Sequence, residues 1–316
     1  MQNATVLNPS VLTLGFGEMT AMKYLYSVIS LIFYILIIFC NVTVISTISL
    51  QKRLHEPMYI FIAALCVNGL YGSSAFFPNL FFNLLQETQT ISYIGCLTQI
   101  YCIHTYMGCE LTILAAMGFD RYVSICHPLR YHSIMSMKMV LKMVIAAWLY
   151  IVILFSTHFA LTVRLPLCDS VILKIYCDNW SVVRLSCIDT TLNNIYGIFV
   201  TVGVIGLMPV LIMASYIQIF RVCLQSSKAT REKALQTCSP HLITLINFVV
   251  DVLFEIILHR YKPTTLPYGL RVAMSVQFLT IPPLLNPLIY GDNGETRLKR
   301  ILGMLFVFLT DHFVLL

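Results

Sequence analysis

Two adjacent charges, Asp120 and Arg121, follow a long apolar segment and precede a basic, polar one. Charged side chains at a membrane boundary are costly unless they are paired, so their presence indicates a function. An aspartate that holds an arginine in one state can release the guanidinium to other partners in a second state. The pair, followed by Tyr122, therefore offers the chemistry of a reversible ion-pair switch. The alternative is an interfacial charge pair without a switching role.

Further ionisable side chains lie inside apolar segments. Membrane-embedded acids are expected to face the interior of a helix bundle or a wet cavity. They serve either ligand contact or internal hydrogen bonding, and the sequence leaves both alternatives open. The residues are Glu110, Asp251, Glu255 and His104. No nucleophile–base motif, nucleotide-binding loop or Cys/His zinc spacing accompanies them, so we expect neither an enzyme nor a cofactor.

Membrane helices are the elements that position these residues. The chain has 316 residues, of which 58% are hydrophobic and 11% charged, whereas soluble domains carry about 25% charged residues. A bilayer-spanning helix needs roughly 20 apolar residues, and seven blocks are long enough. We predict an all-α membrane protein, a seven-transmembrane-helix bundle over residues 24–290. The blocks are 24–50, 57–85, 93–122, 139–163, 195–222, 237–258 and 268–290.

The distribution of basic residues predicts the orientation. Lysines and arginines concentrate in the loops after the first, third and fifth blocks and after the seventh. By the positive-inside rule, residues 1–23 form an extracellular tail and residues 291–316 lie in the cytoplasm. We expect the first helix to act as the insertion signal, and glycosylation at the sequons of Asn3 and Asn179. The net charge of +6 reflects this topology, and no basic block suits nucleic-acid binding.

Several motifs share one resemblance. MGFDRYVSICHPLRYHSIMS, residues 117–136, resembles the third-helix motif of rhodopsin-like G-protein-coupled receptors, and its ICHPLRY continuation resembles that of the olfactory receptor family. Residues 286–290, NPLIY, resemble the seventh-helix motif, and residues 233–241, KALQTCSPH, resemble an olfactory-receptor signature at the start of helix six. Pro57-Met58-Tyr59, at the start of helix two, and Ser215-Tyr216, near the end of helix five, also agree with the olfactory receptor pattern. His259-Arg260 and PPLLNPLIYG look like the class I, fish-like branch.

The resemblance implies a receptor that binds a small-molecule odorant and activates a heterotrimeric G protein of the stimulatory, olfactory class. It implies a plasma-membrane location, in the cilia of olfactory neurons, with contact to membrane lipid. It also implies a short amphipathic eighth helix after residue 290. The switch residues that it implies are Asp120, Arg121, Tyr122, Tyr216, His241, Asn286, Pro287 and Tyr290.

Cysteine positions suit an oxidising exterior at one end of the bundle. Four cysteines, Cys96, Cys168, Cys177 and Cys187, lie at or beyond the expected outer helix ends, and four cysteines allow three pairings. The family resemblance selects Cys96–Cys177 and Cys168–Cys187. The other seven cysteines are expected to be packing residues.

The chain departs from the family pattern in three places. Gly69 stands where the family usually has an aspartate, so a sodium ion near Glu110 is doubtful and a protonated or hydrogen-bonded Glu110 is an equal alternative. Helix six contains Asp251 and Glu255 instead of the aromatic pattern. The tail 301–316 is too short and too interrupted to span a bilayer.

We expect the odorant site among the outer halves of helices three, five and six, under the second outer loop. An acidic ligand is the working hypothesis, because an arginine presents a bidentate fork to a carboxylate. A bolder version of this hypothesis is an amino acid, with Arg260 for its carboxylate and Asp251 or Glu255 for its ammonium group. The candidate contacts are His104, Thr105, Gly108, Thr201, Asp251, Glu255, Ile256 and Arg260. The alternatives are a non-olfactory or orphan chemoreceptor, a decayed receptor that does not reach the surface, and a transporter or channel.

Overall fold

The computed structural model describes residues 9–17, 22–260 and 268–291, without the side chains of residues 233, 255–260, 268–271, 274, 275, 290 and 291. Asn3, the expected eighth helix and the tail 301–316 lie outside the described residues.

Ten α-helices account for most of the described chain. The first five are α1 (Lys23–Leu50), α2 (Pro57–Leu85), α3 (Tyr93–Cys126), α4 (Tyr131–Ile134) and α5 (Met137–Val163). The second five are α6 (Asn179–Val183), α7 (Thr191–Thr201), α8 (Leu207–Leu224), α9 (Lys228–Arg260) and α10 (Tyr268–Gly291). A π-helical turn, Val202–Gly206, joins α7 to α8. Single 3-10 turns, Lys52–Leu54 and Pro128–Arg130, follow α1 and α3.

Six of the described helices are long and apolar enough to cross a membrane, with α7 and α8 counted as one. The seventh, α10, contains the shorter apolar run Val276–Ile289 and packs against α1, α2 and α9. Together they form the seven-helix bundle that the apolar blocks predict. α2 begins and ends with its block because Pro57 occupies the first helical turn, where its missing N–H costs nothing.

Helices α3 and α9 run further than their apolar blocks. α3 continues to Cys126, and α9 already begins at Lys228. The N–H of Thr230 donates to Oγ of Ser227 (3.3 Å), which caps the start of α9. Hydropathy marks the part of a helix in contact with hydrocarbon, whereas backbone hydrogen bonding carries the helix past that region.

The α3 helix is the centre of the bundle. It is mostly buried and contacts α2, α5, α8 and α9, whereas α1, α5 and α7–α8 expose apolar side chains on their outer faces. Two glycines allow close helix contacts. A Cβ at Gly72 of α2 would lie 2.4 Å from the ring of Tyr106, and one at Gly108 of α3 would lie 2.7 Å from Ile151.

A small sheet covers one end of the bundle. Strand β1 (Val11–Leu14) lies between β2 (Thr90–Ser92), with which it is antiparallel, and β3 (Val171–Ile172), with which it is parallel. Leu12 and Leu14 of β1 are buried. The sequence predicts no strand in the tail 1–23, because Val11-Leu12-Thr13-Leu14 does not alternate strictly between apolar and polar residues.

Both disulfides selected by the resemblance are present at the sheet-covered end. Cys96–Cys177 ties the start of α3 to the long loop 164–190, and Cys168–Cys187 closes that loop on itself. We call this end of the bundle the disulfide end, and the opposite end, which carries Asp120 and Arg121, the switch end.

Candidate functional site

A cavity of about 520 Å³ lies near the disulfide end, between α3, α5 and α7 and beside the loop 164–190. Its inner wall is apolar and includes Met107, Leu111, Ile151, Val204 and Val252. Its outer wall is polar and consists mainly of side chains from the loop and from α7. This combination of an apolar body and a few polar groups is typical of a small-molecule site.

Three of the predicted contact residues line this cavity: His104, Gly108 and Thr201. Nδ1 of His104 lies 2.9 Å from the backbone oxygen of Ile100, and the imidazole stacks on the ring of Phe155 with centroids 4.8 Å apart. The stacking fixes the imidazole plane against the cavity wall.

Thr105, another predicted ligand contact, does not line this cavity. Its hydroxyl lies 2.9 Å from the hydroxyl of Tyr71 and donates to the backbone oxygen of Tyr101. Successive residues of a helix point about 100° apart. When His104 faces the cavity, the next residue therefore turns away from it, and Thr105 lies against α2.

Asp251 does not line the cavity either. Its carboxylate is buried and accepts hydrogen bonds from Nε2 of Gln277 (2.5 Å) and Nδ2 of Asn247 (3.2 Å). Asp251 thus joins α9 to α10 by hydrogen bonds, which is the second of the two alternatives for an acid inside a membrane helix. The next residue, Val252, lines the cavity in its place. The side chains of Glu255, Ile256 and Arg260 lie outside the described residues.

Sequence reasoning did not identify the contribution of α5, which supplies Ile151, Leu154, Phe155 and His158 to the cavity. One signal was available, because His158 is a polar residue inside the fourth apolar block.

A buried polar network closes the outer wall. Thr162 donates from Oγ1 to Oδ1 of Asn179 (2.8 Å), and Nδ2 of Asn179 lies 3.2 Å from Nε2 of His158. Because an amide nitrogen only donates, His158 accepts this bond and is neutral. Nδ2 of Asn193 also donates to Oγ1 of Thr162 (3.4 Å). The network joins α5, the loop and α7.

Asn179 is therefore poorly accessible as a glycosylation acceptor in this fold, although its sequon predicts a glycan there. The residue is only 5% exposed, and both amide atoms of its side chain are engaged in the network. A glycan on Nδ2 would require the amide to leave the bundle. The sequon pattern specifies three residue types and carries no information about burial.

Charged residues stand at the rim of the cavity. The guanidinium of Arg184 lies 5.8 Å from the ring centroid of Trp180, and both residues line the cavity. Asp178 caps α6 by accepting from the N–H of Ser181 (3.2 Å) and pairs with Lys174 (3.4 Å). Arg184 can present a positive charge to a ligand over an aromatic face.

The start of α7, which carries Asn193, is held by Asp189. Oδ1 of Asp189 accepts from the hydroxyl of Thr191 (2.7 Å) and from its backbone N–H (3.1 Å). These hydrogen bonds favour the ionised carboxylate and lower the pKa of Asp189. These hydrogen bonds therefore hold at neutral pH and are lost only as the pH falls through that lowered pKa.

The π-helical turn between α7 and α8 contributes two further residues to the cavity wall. Pro209 has no N–H to donate to the carbonyl of Ile205, so the α-helical pattern cannot continue unchanged before it. The turn absorbs this mismatch, and Val204 and Ile205 within it line the cavity beside Thr201. Such single-turn bulges are frequent at functional sites.

A second polar cluster lies around Glu110 in the core of the bundle. Its carboxylate accepts from Nδ2 of Asn68 (2.7 Å) and from Nδ2 of Asn286 (2.5 Å). Each oxygen thus accepts from one amide nitrogen, which is the hydrogen-bonded alternative for Glu110. Gly69 has no side-chain oxygen to offer a cation, and a Cβ there would lie 3.3 Å from Pro283.

At the switch end, the aspartate and the arginine of the motif are paired. Oδ2 of Asp120 lies 2.5 Å from a guanidinium nitrogen of Arg121, and Oδ1 accepts from the hydroxyl of Tyr131 (2.8 Å). Asp120 is fully buried and the Arg121 side chain is 14% exposed. Burial of Tyr131 and the nearby Asp120 raise the pKa of its phenol, which stays the donor. Tyr122 contacts His127 at 3.2 Å.

The other implied switch residues form interhelical contacts. Tyr216 of α8 lies 2.7 Å from Nδ1 of His241 of α9, and Nε2 of that imidazole lies 2.9 Å from the backbone oxygen of Leu114 of α3. Pro287 is buried in α10 next to Asn286. The side chain of Tyr290 lies outside the described residues.

A seven-helix membrane bundle with a ligand-sized cavity near one end and a paired arginine at the other is the architecture of a G-protein-coupled receptor. The sequence model of the family described as "Olfactory receptor" matches residues 29–309. The human olfactory receptor 51I2 is 36% identical over 267 residues, which cover 84% of this chain and 85% of that receptor. Olfactory receptor 51E1 from Homo sapiens is 34% identical over 275 residues, with 87% and 86% covered.

The human olfactory receptor 52K1 is 33% identical over 307 residues, 96% of this chain and 97% of its own length. The chain therefore belongs to the olfactory receptor family. It is a multi-pass plasma-membrane receptor and not an enzyme. Its family implies an odorant ligand and a G protein as partners.

Proposed function

We propose that this receptor binds a small polar or acidic odorant in the cavity, activates a stimulatory, olfactory-type heterotrimeric G protein and so raises cyclic AMP. The observation that carries the proposal is the position of both functional parts on one central helix. α3 supplies His104 and Gly108 to the cavity and Asp120 and Arg121 to the switch end. A change in the packing of α3 therefore affects both the cavity and the Asp120–Arg121 pair.

The mechanism is a shift between two states. A ligand acts only through its preference for one of them. In the active state the switch end of α9 moves away from α3, which separates His241 from Leu114 and opens a groove beside Arg121. The released guanidinium and the basic residues near the start of α9 then contact the G protein.

The acidic ligand is supported by the charges around the cavity. Arg184 lines its rim, and Arg260 follows on α9 at a position where the class I resemblance implies a carboxylate contact. The class I assignment rests on His259-Arg260 and on PPLLNPLIYG. The amino-acid version loses one of its two candidate ammonium partners, because Asp251 is committed to Gln277.

The orientation is proposed from charge and cysteines together. Basic residues cluster in the loops of the switch end, while the disulfides lie at the other end, as an oxidising exterior requires. The N-terminus is then outside the cell. From the family resemblance we propose the cilia of olfactory neurons as its location, whereas expression in another tissue would identify a non-olfactory chemoreceptor.

The test is cyclic AMP accumulation in cells that express the receptor with an olfactory-type G protein. Carboxylic acids, amino acids and neutral odorants are screened on the wild type and on Arg121→Ala at matched surface level. We expect a ligand-dependent rise that Arg121→Ala abolishes. A response that survives Arg121→Ala, or silence of the wild type at full surface expression across all ligands and G-protein classes, contradicts the proposal.

The ligand class is tested on the rim arginines. Arg184→Ala and Arg260→Ala are compared with Arg184→Lys, which keeps the charge but loses the planar guanidinium. For an acid held by a guanidinium, we expect the potency to fall about tenfold or more in at least one alanine variant, with neutral agonists unaffected. If the acids are equally potent on all variants, the proposal of an acidic ligand is contradicted, whereas the proposal of a signalling receptor is not.

A further inference from the structure

Tyr106 joins the central helix α3 to α10 through a buried hydrogen bond. Its hydroxyl donates to the backbone oxygen of Phe278 (2.9 Å), and its side chain is fully buried. The two residues are 172 positions apart in the chain, and no sequence motif contains either of them. Only the packing of α3 against α10 brings them together.

Pro282 explains why the carbonyl of Phe278 needs a donor from another helix. In an α-helix this carbonyl accepts from the N–H four residues later. Residue 282 is a proline and has no N–H. A carbonyl that a proline frees inside a membrane helix is satisfied by groups of neighbouring helices. The Tyr106 hydroxyl supplies the donor that α10 lacks at this point.

Gly72 of α2 makes room for the Tyr106 ring. A Cβ at this position would overlap three carbons of that ring. Because the ring is fully buried, it has no free space into which it could move. The hydrogen bond therefore depends on one residue from each of three helices: a glycine on α2, a tyrosine on α3 and a proline on α10.

A second contact holds α10 to α3 further along. Glu110, one turn after Tyr106, accepts from Nδ2 of Asn286 (2.5 Å). α3 therefore holds α10 at two points, and the Pro282-Pro283 pair lies between them. Helices bend where prolines interrupt their hydrogen bonds. The part of α10 between the two contacts is therefore where this helix can bend.

Phe278 is also tied to α9, through its neighbour in the chain. Gln277 donates from Nε2 to the buried carboxylate of Asp251 on α9 (2.5 Å). At this level α10 is therefore held by α3 and by α9. Phe278 also contributes to the cavity wall beside Tyr176, with ring centroids 6.4 Å apart. A movement of α9 away from α3 therefore pulls on the bond between Tyr106 and Phe278.

We propose that the hydrogen bond from Tyr106 to Phe278 holds α10 against α3 in the closed state, in which α9 contacts α3 at the switch end, and that it breaks on activation. Tyr106 is then a positioning residue, because it does not line the cavity and acts through the backbone of Phe278. A bond that exists in one of two states favours that state. This inference rests on the receptor function proposed above, whose two states it concerns.

The experiment compares five receptors at matched surface expression: the wild type, Tyr106→Phe, Pro282→Ala, the double variant and Tyr71→Phe. Tyr106→Phe removes only the hydroxyl. Pro282→Ala returns an N–H to α10, so in the double variant the Phe278 carbonyl has a donor again. Tyr71→Phe is the matched control, because it removes a hydroxyl that lies 2.9 Å from that of Thr105 and does not involve α10.

Two quantities are measured, and neither requires a known ligand. The first is cyclic AMP without added ligand, in cells that contain an olfactory-type G protein. The second is hydrogen exchange of the backbone amides of residues 276–289, on the full-length receptor purified in detergent. The second measurement does not depend on a G protein.

Tyr106→Phe should raise basal cyclic AMP about threefold or more, as expected from the net value of one buried hydrogen bond. It should also speed amide exchange in residues 276–289 more than in the other helices. The double variant should return both quantities to the wild-type level, whereas Pro282→Ala and Tyr71→Phe should raise neither. A hydroxyl that only stabilised the fold would lower surface expression and would not raise basal signalling.

In a receptor that responds to odorants, unchanged basal cyclic AMP in Tyr106→Phe overturns the inference. A rise that persists in the double variant, or an equal rise in Tyr71→Phe, also overturns it. Should Tyr106→Phe not fold, Gly72→Ala, which displaces the same ring, is used in its place.

Failure of the inference and failure of the proposed function give different results. Faster exchange confined to α10 in Tyr106→Phe, with no cyclic AMP from the wild type under any odorant, would retain the α10 contact and refute the signalling proposal. An odorant response of the wild type, with basal cyclic AMP and α10 exchange unchanged in Tyr106→Phe, would retain the receptor function and refute the role of Tyr106.

Discussion

His241 of α9 is joined to Leu114 of α3 by a hydrogen bond of 2.9 Å between Nε2 and the backbone carbonyl oxygen. A carbonyl only accepts, so Nε2 carries the hydrogen and Nδ1 is the acceptor for the Tyr216 hydroxyl at 2.7 Å. The hydrogen bonds run in one direction from α8 through α9 to α3. They hold the switch end of α9 against the central helix, beside Arg121.

Loss of this link should raise ligand-independent signalling. His241→Phe keeps an aromatic ring to stack on Tyr216 but removes both hydrogen bonds, each with a net value of about 0.5–1.5 kcal/mol. Only the closed state loses them, so basal cyclic AMP should rise several-fold at matched surface expression. Ser239→Ala, which removes an exposed hydroxyl bonded within α9 to Leu235, is the control. Basal activity equal to wild type in His241→Phe would contradict this role.

The sequence predicted the elements better than the faces that they present. Apolar blocks fix seven helices because a bilayer imposes one length and one composition on all of them. Which residue faces the cavity depends on how neighbouring helices rotate about their axes. His104 and Thr105, or Asp251 and Val252, are adjacent, and one of each pair lines the cavity while the other does not.

The polar outer wall was beyond sequence reasoning for a different reason. Asn193, Thr162 and Asn179 are separated along the chain and meet only because the disulfides and the sheet hold the loop 164–190 over α5 and α7. Asn193 and Thr162 belong to no motif that carries chemistry, and the sequon of Asn179 gives no information about a place in the cavity wall. The family resemblance, by contrast, supplied the Cys96–Cys177 and Cys168–Cys187 pairings, which spacing alone left open.

Glycosylation should occur at Asn3 and not at Asn179. Asn179 is buried in the network of Thr162 and His158, whereas Ser181 of the same sequon is partly exposed and its side chain can be removed without breaking that network. Ser181→Ala should therefore leave the glycosidase-sensitive mobility on a gel unchanged, and Asn3→Gln should abolish it.

The same residues separate the two roles of the sequon. Asn179→Ala leaves buried groups of Thr162 and His158 unpaired, at a cost of about 1–3 kcal/mol, and should lower surface expression several-fold. Ser181→Ala should not lower it. A faster-migrating Ser181→Ala receptor would show that Asn179 carries a glycan and that the network does not form as described.

Gly108 should set the upper size of the ligand. A Cβ at this position would lie 2.7 and 2.8 Å from two carbons of Ile151, and both residues line the cavity. In Gly108→Ala the Ile151 side chain must move, and the added methyl group occupies cavity volume. Overpacking of this kind costs about 1–3 kcal/mol, so the largest agonists of a homologous series should lose about tenfold in potency while the smallest keep theirs.

Gly203→Ala is the matched control for this size effect. A Cβ there would meet only the hydroxyl of Tyr150 at 3.6 Å, an ordinary contact, and Gly203 does not line the cavity. Dose–response curves for one series of chain lengths, measured on both variants at equal surface level, decide the point. A uniform loss across the series in Gly108→Ala would mean that the helix contact between α3 and α5, and not the cavity volume, depends on this glycine.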